Sequence, residues 1–584
     1  MAKMFMSIYQ RKSFILQYRK VGAQDFLKGF LIVNVLIALC SFLLFPLSTL
    51  FIKAFQNSNG EFVLFQQFVT YFKSPNMMLS LTNTIFISTV STIISVTLAL
   101  FFAYAISRKN MPYKKFFQFV AMLPIFAPTM LLGISLIYLF GNQGVFTKIG
   151  FAIPLYGEVG IIIAESIFCF PVAVMILVVA FSAADNRLYE AADVMGTSPI
   201  RKLLTITLPN IKYGLISSIF ICFTYSFTDF GAPSVIGGNY NVLATDIYKQ
   251  VIGQQNFNMG AVVGILMLIP AVASFFVDRF VTSKQSGSIS SKAVPYVITK
   301  DKISDNISLL FCITVCILMI GFFAMSLFAS IVTVWPYNFE LTLKHYDFSK
   351  VASGGAATAV QNSIIVSIIT ALFGTLLTFM TAYIIEKIKI LPKLRKAIYF
   401  LAIAPMAIPG TVVGLSYIFF FNAKSFGIPF TNFSIINGFN PLYGTMAIIV
   451  IINIIHFFAV PFVTATTALK RLDGEFETVS ESLRVPFYKT LFRITVPMSI
   501  SAILEMAVYF FVNSMITVSA VVFLYTTTYR LASIVILNVQ EAGDIAEAAA
   551  MSMIIFGINI VVRIFYEFVK IKAQKKTDAW MKRE

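Results

Sequence analysis

About twelve stretches of this chain are apolar for the length of a bilayer crossing, near residues 29–52, 84–107, 116–140, 159–184, 212–236, 259–277, 308–335, 361–385, 397–421, 444–467, 499–524 and 546–569. A helix needs about 20 such residues to span the hydrocarbon layer. Only 12% of residues are charged, where average soluble domains carry about 25%. Hydrophobic residues make up 58% of the chain, and the mean hydropathy is +0.84. A water-exposed surface of ordinary polarity cannot be made from so few charges. A membrane β-barrel shows short alternating segments, whereas these runs are continuous. The expected fold is therefore an all-α integral membrane protein.

The net charge of +18 raises the question of nucleic acid. The distribution answers it. Of the 44 Lys and Arg, 36 fall on one side, in the two tails and alternate connections. That bias places both termini in the cytoplasm, together with the loops near 108–115, 185–212, 278–307, 387–396 and 468–497. Anionic lipid headgroups are the expected partner of this charge, and nucleic acid is not. The first 28 residues hold six basic residues and no sustained apolar core, so no cleavable signal peptide is expected. Cys40, Cys169, Cys222, Cys312 and Cys316 all sit in apolar runs and read as packing residues. His345 and His456 cluster with no carboxylates in sequence, so neither a metal site nor a catalytic constellation is expected.

The chain is also written twice. "NTIFIS" at Asn83 returns as "NSIIVS" at Asn362, and "AY" at Ala103 returns at Ala382. Pro124, Pro128 and Gly133 match Pro405, Pro409 and Gly414. "LYG" at Leu155 returns at Leu442, and "LAT" at Leu243 meets "LAS" at Leu531. Each half has an even number of spans, so the two are parallel repeats about an axis along the membrane normal. The expected plan is a cytoplasmic tail 1–28, a first half 29–282, a cytoplasmic linker 283–307, a second half 308–570 and a cytoplasmic tail 571–584. The linker is rich in Ser, Lys and Asp.

Between spans 4 and 5 the chain turns polar in "EAADVMGTSPIRKLLTITLP", Glu190–Pro209. Ala191 and Ala192 favour a helix and permit close approach of another surface. Gly196 fits a helix C′ position. Ser198 can cap a second helix with Pro199 at its first position. Pro209 is expected to break that helix before the next span. The same place in the second half reads "TVSESLRVPFYKTLFRITVP", Thr478–Pro497. Ile206 and Pro209 match Ile494 and Pro497, and Val496 stands for Leu208. Thr478 takes the Glu190 position with Glu477 adjacent, Val479–Ser480 replaces the alanines, and Arg484 stands at Gly196.

Glu-Ala-Ala, the glycine four residues later and the closing Ile-x-Leu-Pro resemble the cytoplasmic loop of ABC importer permeases. The resemblance covers essentially the whole chain as two six-span halves. It implies coupling loops at 185–209 and 470–497 that dock two separate ATP-binding cassette subunits. It also implies a bacterial inner-membrane location and an extracytoplasmic solute-binding protein. Fused permeases for 2-aminoethylphosphonate, ferric iron and thiamine look similar; "TDFGAPSVIGGNYNVLATDIYKQVIGQQNF" with "TVSAVVFLY" points first to 2-aminoethylphosphonate, then ferric iron. No Gly–Lys dipeptide occurs anywhere, so the chain lacks the lysine-bearing phosphate loop. No cofactor is expected on this chain; ATP acts through the partner.

Ionisable residues within spans are functional candidates. Asp229, Glu165, His456 and Glu505 qualify, with Thr517 at the Asp229 position of the second half. Asp229 either lines a pathway or gate, or is a hydrated or paired residue at a span end. For the other three, buried helix contacts are the alternative. The segments around "VLATDIYKQ" and "LASIVILNVQ" read as amphipathic helices on the outer surface, where that family meets its binding protein. An ion-coupled secondary transporter is the alternative class.

Overall fold

A computed structural model describes residues 23–182, 185–288, 294, 296–298, 300–348, 355–427 and 434–581. Residues 1–22 of the expected tail 1–28, residues 289–293, 295 and 299 of the expected linker 283–307, and residues 582–584 of the expected tail 571–584 lie outside them. Helix dominates. The described strands form two small hairpins, Val332–Val334 with Asn338–Leu341 and Ser425–Gly427 with Ser434–Ile436. Among the described residues nine helices are long and apolar enough to cross a membrane, and twelve crossings result if three bent pairs count as one each. The first half supplies Gln24–Ala54, Pro75–Arg108, Thr129–Lys148, Glu158–Ser182, Pro199–Thr228 and Phe257–Val281 as spans 1 to 6. The second supplies Lys302–Ile331, Ala356–Lys387, three bent pairs and Ile545–Lys572 as spans 7 to 12. The pairs are Pro392–Ala407 with Gly410–Phe421, Met446–His456 with Ala459–Arg471, and Phe487–Met498 with Ile500–Ile516.

The repeat is visible in dihedral angles. Span 5 ends at Asp229 with φ −68° and ψ 136°, and span 11 ends at Thr517 with φ −66° and ψ 134°. Pro128 and Pro409 likewise agree within a few degrees before spans 3 and 9. Spans 2 and 8 pack through matched stripes of small residues, all buried: Thr84, Ser88, Ser91, Ser95, Ala99 and Ala103, then Ser363, Ser367, Thr370, Gly374, Thr378 and Ala382. Small side chains at every third or fourth position let helix backbones approach where lipid offers no hydrophobic drive.

At the far end of each stripe a hydroxyl holds another helix. Thr84 Oγ1 accepts a hydrogen bond from Leu243 N at 2.9 Å, and Ser363 Oγ accepts one from Ala532 N at 2.8 Å. This pairing sets Leu243 opposite Ala532, one residue out of the Leu243–Leu531 match suggested by sequence. Ser363→Ala leaves the buried Ala532 N–H without an acceptor, a loss of about 1–3 kcal/mol. The expected result is a lower melting temperature of the purified protein, and an unchanged melt would refute this role.

The first span of each half leans on the other half. Tyr417 Oη of span 9 donates to Phe42 O of span 1 at 2.6 Å. Ser326 of span 7 and Ser135 of span 3 share a hydroxyl–hydroxyl hydrogen bond of 2.5 Å. Two expectations need correction. Span 5 covers Pro199–Thr228 rather than 212–236, because the chain breaks at Asp229 and refolds as the short buried helix Gly231–Ile236. The outer segments are not surface helices either. Leu243–Ile247 of the helix Leu243–Tyr248 are buried, as is most of Ala532–Glu541. Hydrogen bonds from their first backbone N–H groups to Thr84 and Ser363 hold them inside the bundle.

Candidate functional site

Both polar loops fold as helix, turn, helix. The first helix of loop one, Asn186–Val194, begins at Asp185, whose carboxylate accepts from Arg187 N at 3.1 Å. The Arg187 backbone N–H holds the Asp185 carboxyl below its usual range. The helix ends in a Schellman turn. Thr197 N donates to Ala192 O at 3.0 Å and Gly196 N to Asp193 O at 3.0 Å, with Gly196 at φ 67°. In the second loop, Val485 N donates to Ser480 O at 2.8 Å and Arg484 N to Glu481 O at 3.1 Å. Arg484 takes φ 53°, where a side chain is disfavoured. The turn thus survives the exchange of Gly for Arg.

Ser198 caps the second helix with Pro199 at its start, as its sequence implies. Pro209 does not break that helix. The widened π-helical stretch Leu203–Thr207 precedes it, and the helix runs on to Thr228. A π turn tolerates the missing proline N–H. Loop two repeats the stretch at Leu491–Thr495, then bends by 78° before Ile500.

Glu190 is exposed, and its Oε1 accepts from Asn186 Nδ2 at 2.7 Å. Ala191 is exposed and Ala192 buried; Ile206 and Leu208 are half-buried, and Pro209 is exposed. Thr478 and Arg484 are exposed, Ile494 is half-buried and Pro497 exposed. Glu477 Oε2 pairs with Lys387 Nζ at 3.2 Å. Between these groups stand bare apolar side chains: Val194, Met195, Ile200 and Leu204 in loop one, and Val479, Leu483 and Phe492 in loop two. Unpartnered patches of this kind mark contact surfaces.

Away from the loops, a cavity of about 250 Å³ lies between the halves. Its polar wall includes Tyr225, Asp229, Asp278, His456, Tyr509 and Asn513. Asp229 Oδ2 also accepts from Ala232 N, in the short helix after the break, at 2.9 Å. His456 sits at the 54° bend of span 10 with Nδ1 buried and unpartnered. The other candidates lie off this wall. Glu165 is fully buried beside Asp229, and neither of its oxygens has a hydrogen bond of good geometry. Glu505 is exposed, near Tyr566 of span 12. Thr517 is buried, and its carbonyl accepts from Ser533 Oγ at 2.7 Å. Sequence reading missed Asp278, Tyr225, Tyr509 and Asn513. Asn513 lies 288 residues after Tyr225, so the repeat offset alone could have paired them. Among the described residues no group of three or more His, Cys, Asp or Glu is placed to hold a metal ion.

A duplicated helical bundle with paired loops at one end and a polar cavity between its halves defines a two-half membrane permease. The chain belongs to the family of binding-protein-dependent transport system inner membrane components, whose model matches residues 95–286 and again 374–573. It is thus a multi-pass inner-membrane permease of an ABC importer and not itself an enzyme. It is 28% identical over 92% of its length to the ferric transport system permease protein of Actinobacillus pleuropneumoniae, covering 77% of that protein. A Salmonella typhi protein named for 2-aminoethylphosphonate transport is 23% identical over 43% of this chain and 89% of its own. Among solved structures, a bacterial ABC transporter importing alginate has a chain matched with TM-score 0.39 and 20% identity, over 47% of this chain and 99% of that one.

Proposed function

We propose that this chain forms the translocation pathway of an ATP-driven ferric iron importer, powered by two separate ATP-binding subunits at its loops and fed by an extracytoplasmic solute-binding protein. The observation that carries the reading is the repeated loop: two helices ended by the same turn, at one face, with apolar side chains exposed. A short helix with fixed ends transmits displacement where a slack loop would absorb it. The positive-inside bias supports placing that face and both termini in the cytoplasm. Family membership favours this reading over the ion-coupled alternative.

Ferric iron replaces the 2-aminoethylphosphonate that motif wording puts first. The similarity to the ferric permease runs through both halves, whereas the phosphonate relative covers less than half of the chain. The cavity chemistry agrees. Carboxylates and phenols face it, and among the described residues no Lys or Arg does. Oxygen donors suit a hard cation, while a phosphonate calls for basic groups.

The test is reconstitution with an ATP-binding subunit and a solute-binding protein that co-purify with this chain. ATP-dependent uptake of labelled ferric iron is expected, with no uptake of 2-aminoethylphosphonate. Asp278→Asn should lower iron uptake about ten-fold, in the range of one lost charged contact. Uptake of phosphonate instead, or indifference to Asp278, rules out the iron reading.

A further inference from the structure

At the loop-side end of span 2, Arg108 is buried at a junction of three elements. Its Nη2 donates to Phe181 O, at the end of span 4, at 3.0 Å. Its guanidinium lies 5.1 Å from the ring centroid of Tyr189, in the first helix of loop one. The Tyr296 ring covers it at 3.9 Å. Tyr189 is fixed in turn, its hydroxyl 3.0 Å from Thr207 Oγ1 in the second limb of the loop.

The second half builds the same junction from different chemistry. Lys387 ends span 8, 279 residues after Arg108, the offset that relates Ala103 to Ala382. Its Nζ donates to Leu472 O, just past span 10, at 3.1 Å, and to Glu477 Oε2 at 3.2 Å. Glu477 lies 288 residues after Tyr189, the offset that relates Gly196 to Arg484. One half therefore clamps its loop helix through a cation over an aromatic ring, the other through an ion pair. A cation in this position also suits the helix C-terminus on which it sits. Keeping the place while changing the partner points to a conserved mechanical need for the contact within this one chain.

What the junction grips is a rod. Pro75–Arg108 is one 34-residue helix, about 50 Å long at 1.5 Å per residue. Its other end holds the buried helix Leu243–Tyr248 through Thr84, as Ser363 of span 8 holds Ala532–Glu541. Each rod thus touches a loop near one end and a buried helix near the other.

We propose that Arg108 and Lys387 are positioning residues that carry displacement of the two loop helices into spans 2 and 8, and so to the buried helices closing the far side. The proposal rests on the loops docking ATP-binding subunits. The test uses the full permease with its ATP-binding subunits and binding protein in proteoliposomes. Arg108→Met and Lys387→Met should leave subunit co-purification and basal ATP hydrolysis within about two-fold, while hydrolysis stimulated by loaded binding protein and uptake fall by about ten-fold or more. Glu477→Leu, which removes the ion pair and leaves Lys387 on Leu472 O, should lower uptake as Lys387→Met does, and this variant decides the matter should Lys387→Met fail to accumulate. Tyr189→Glu gives Arg108 the partner type that Lys387 already has and should retain coupling; Tyr189→Ala should not. Wild-type uptake in both methionine variants overturns the proposal, as does wild-type uptake in Glu477→Leu. If the unaltered chain binds no ATP-binding subunit, the functional reading itself falls, an outcome distinct from loss of stimulation with binding intact.

Discussion

Val194→Glu combined with Met195→Glu is expected to abolish the proposed ATP-driven uptake, while the purified permease keeps its melting temperature. Val194 is 89% and Met195 74% exposed at the end of the first loop helix, so neither supports the fold. In the proposed complex both enter a partner surface. Two carboxylates there lose apolar burial, and burying an unpaired charge costs several kcal/mol more. A loss of even 3 kcal/mol weakens docking by about a hundred-fold. Co-purification with the ATP-binding subunit measures this directly. Retained binding and uptake would show that the partner grips elsewhere. The two loops should also differ. Glu190→Ala and Gly196→Val are expected to impair transport more than Thr478→Ala and Arg484→Gly. Gly196 uses its freedom at φ 67°, whereas Arg484 already tolerates φ 53°. Equal losses at equal expression count against that asymmetry.

Gly414→Val prevents folding or lowers stability by about 3 kcal/mol or more, at the top of the range for overpacking. A Cβ at Gly414 would stand 2.6 Å from the Ala520 carbonyl oxygen, a backbone atom that cannot swing aside. Its repeat partner is more forgiving. At Gly133 the added Cβ meets the Val235 side chain at 3.0 Å, so Gly133→Ala should cost about 1 kcal/mol. Gly557→Ala, with nothing within 4 Å of its Cβ, is the control. Thermal melts of the three purified variants give the ranking; equal stability of Gly414→Val and Gly557→Ala would remove the proposed close packing. These glycines hold the segments after spans 5 and 11 against spans 3 and 9, where the two halves approach.

The sequence alone determined the solvent, the duplication and the outline of the loops. Runs of apolar residues need a membrane whatever surrounds them. A repeat offset is a property of the string, and caps such as Ser198 and turns such as Gly196 act within a few residues. Tertiary structure decided what depends on distant partners. It seated the short helix Gly231–Ile236 after the end of span 5, because Val235 and Ile236 pack against Gly133 of span 3, about 100 residues earlier. It buried segments that look like surface helices, because Thr84 and Ser363 reach them from about 160 residues away. It put Asp229 and His456 on one cavity and left Glu165, Glu505 and Thr517 off it, since hydropathy marks a residue's depth but not its facing. It also set Arg108 against Tyr189 and Lys387 against Glu477. Cation–π and ion-pair contacts leave no common residue pattern, so only the fold could show that both halves hold their loops at the same point.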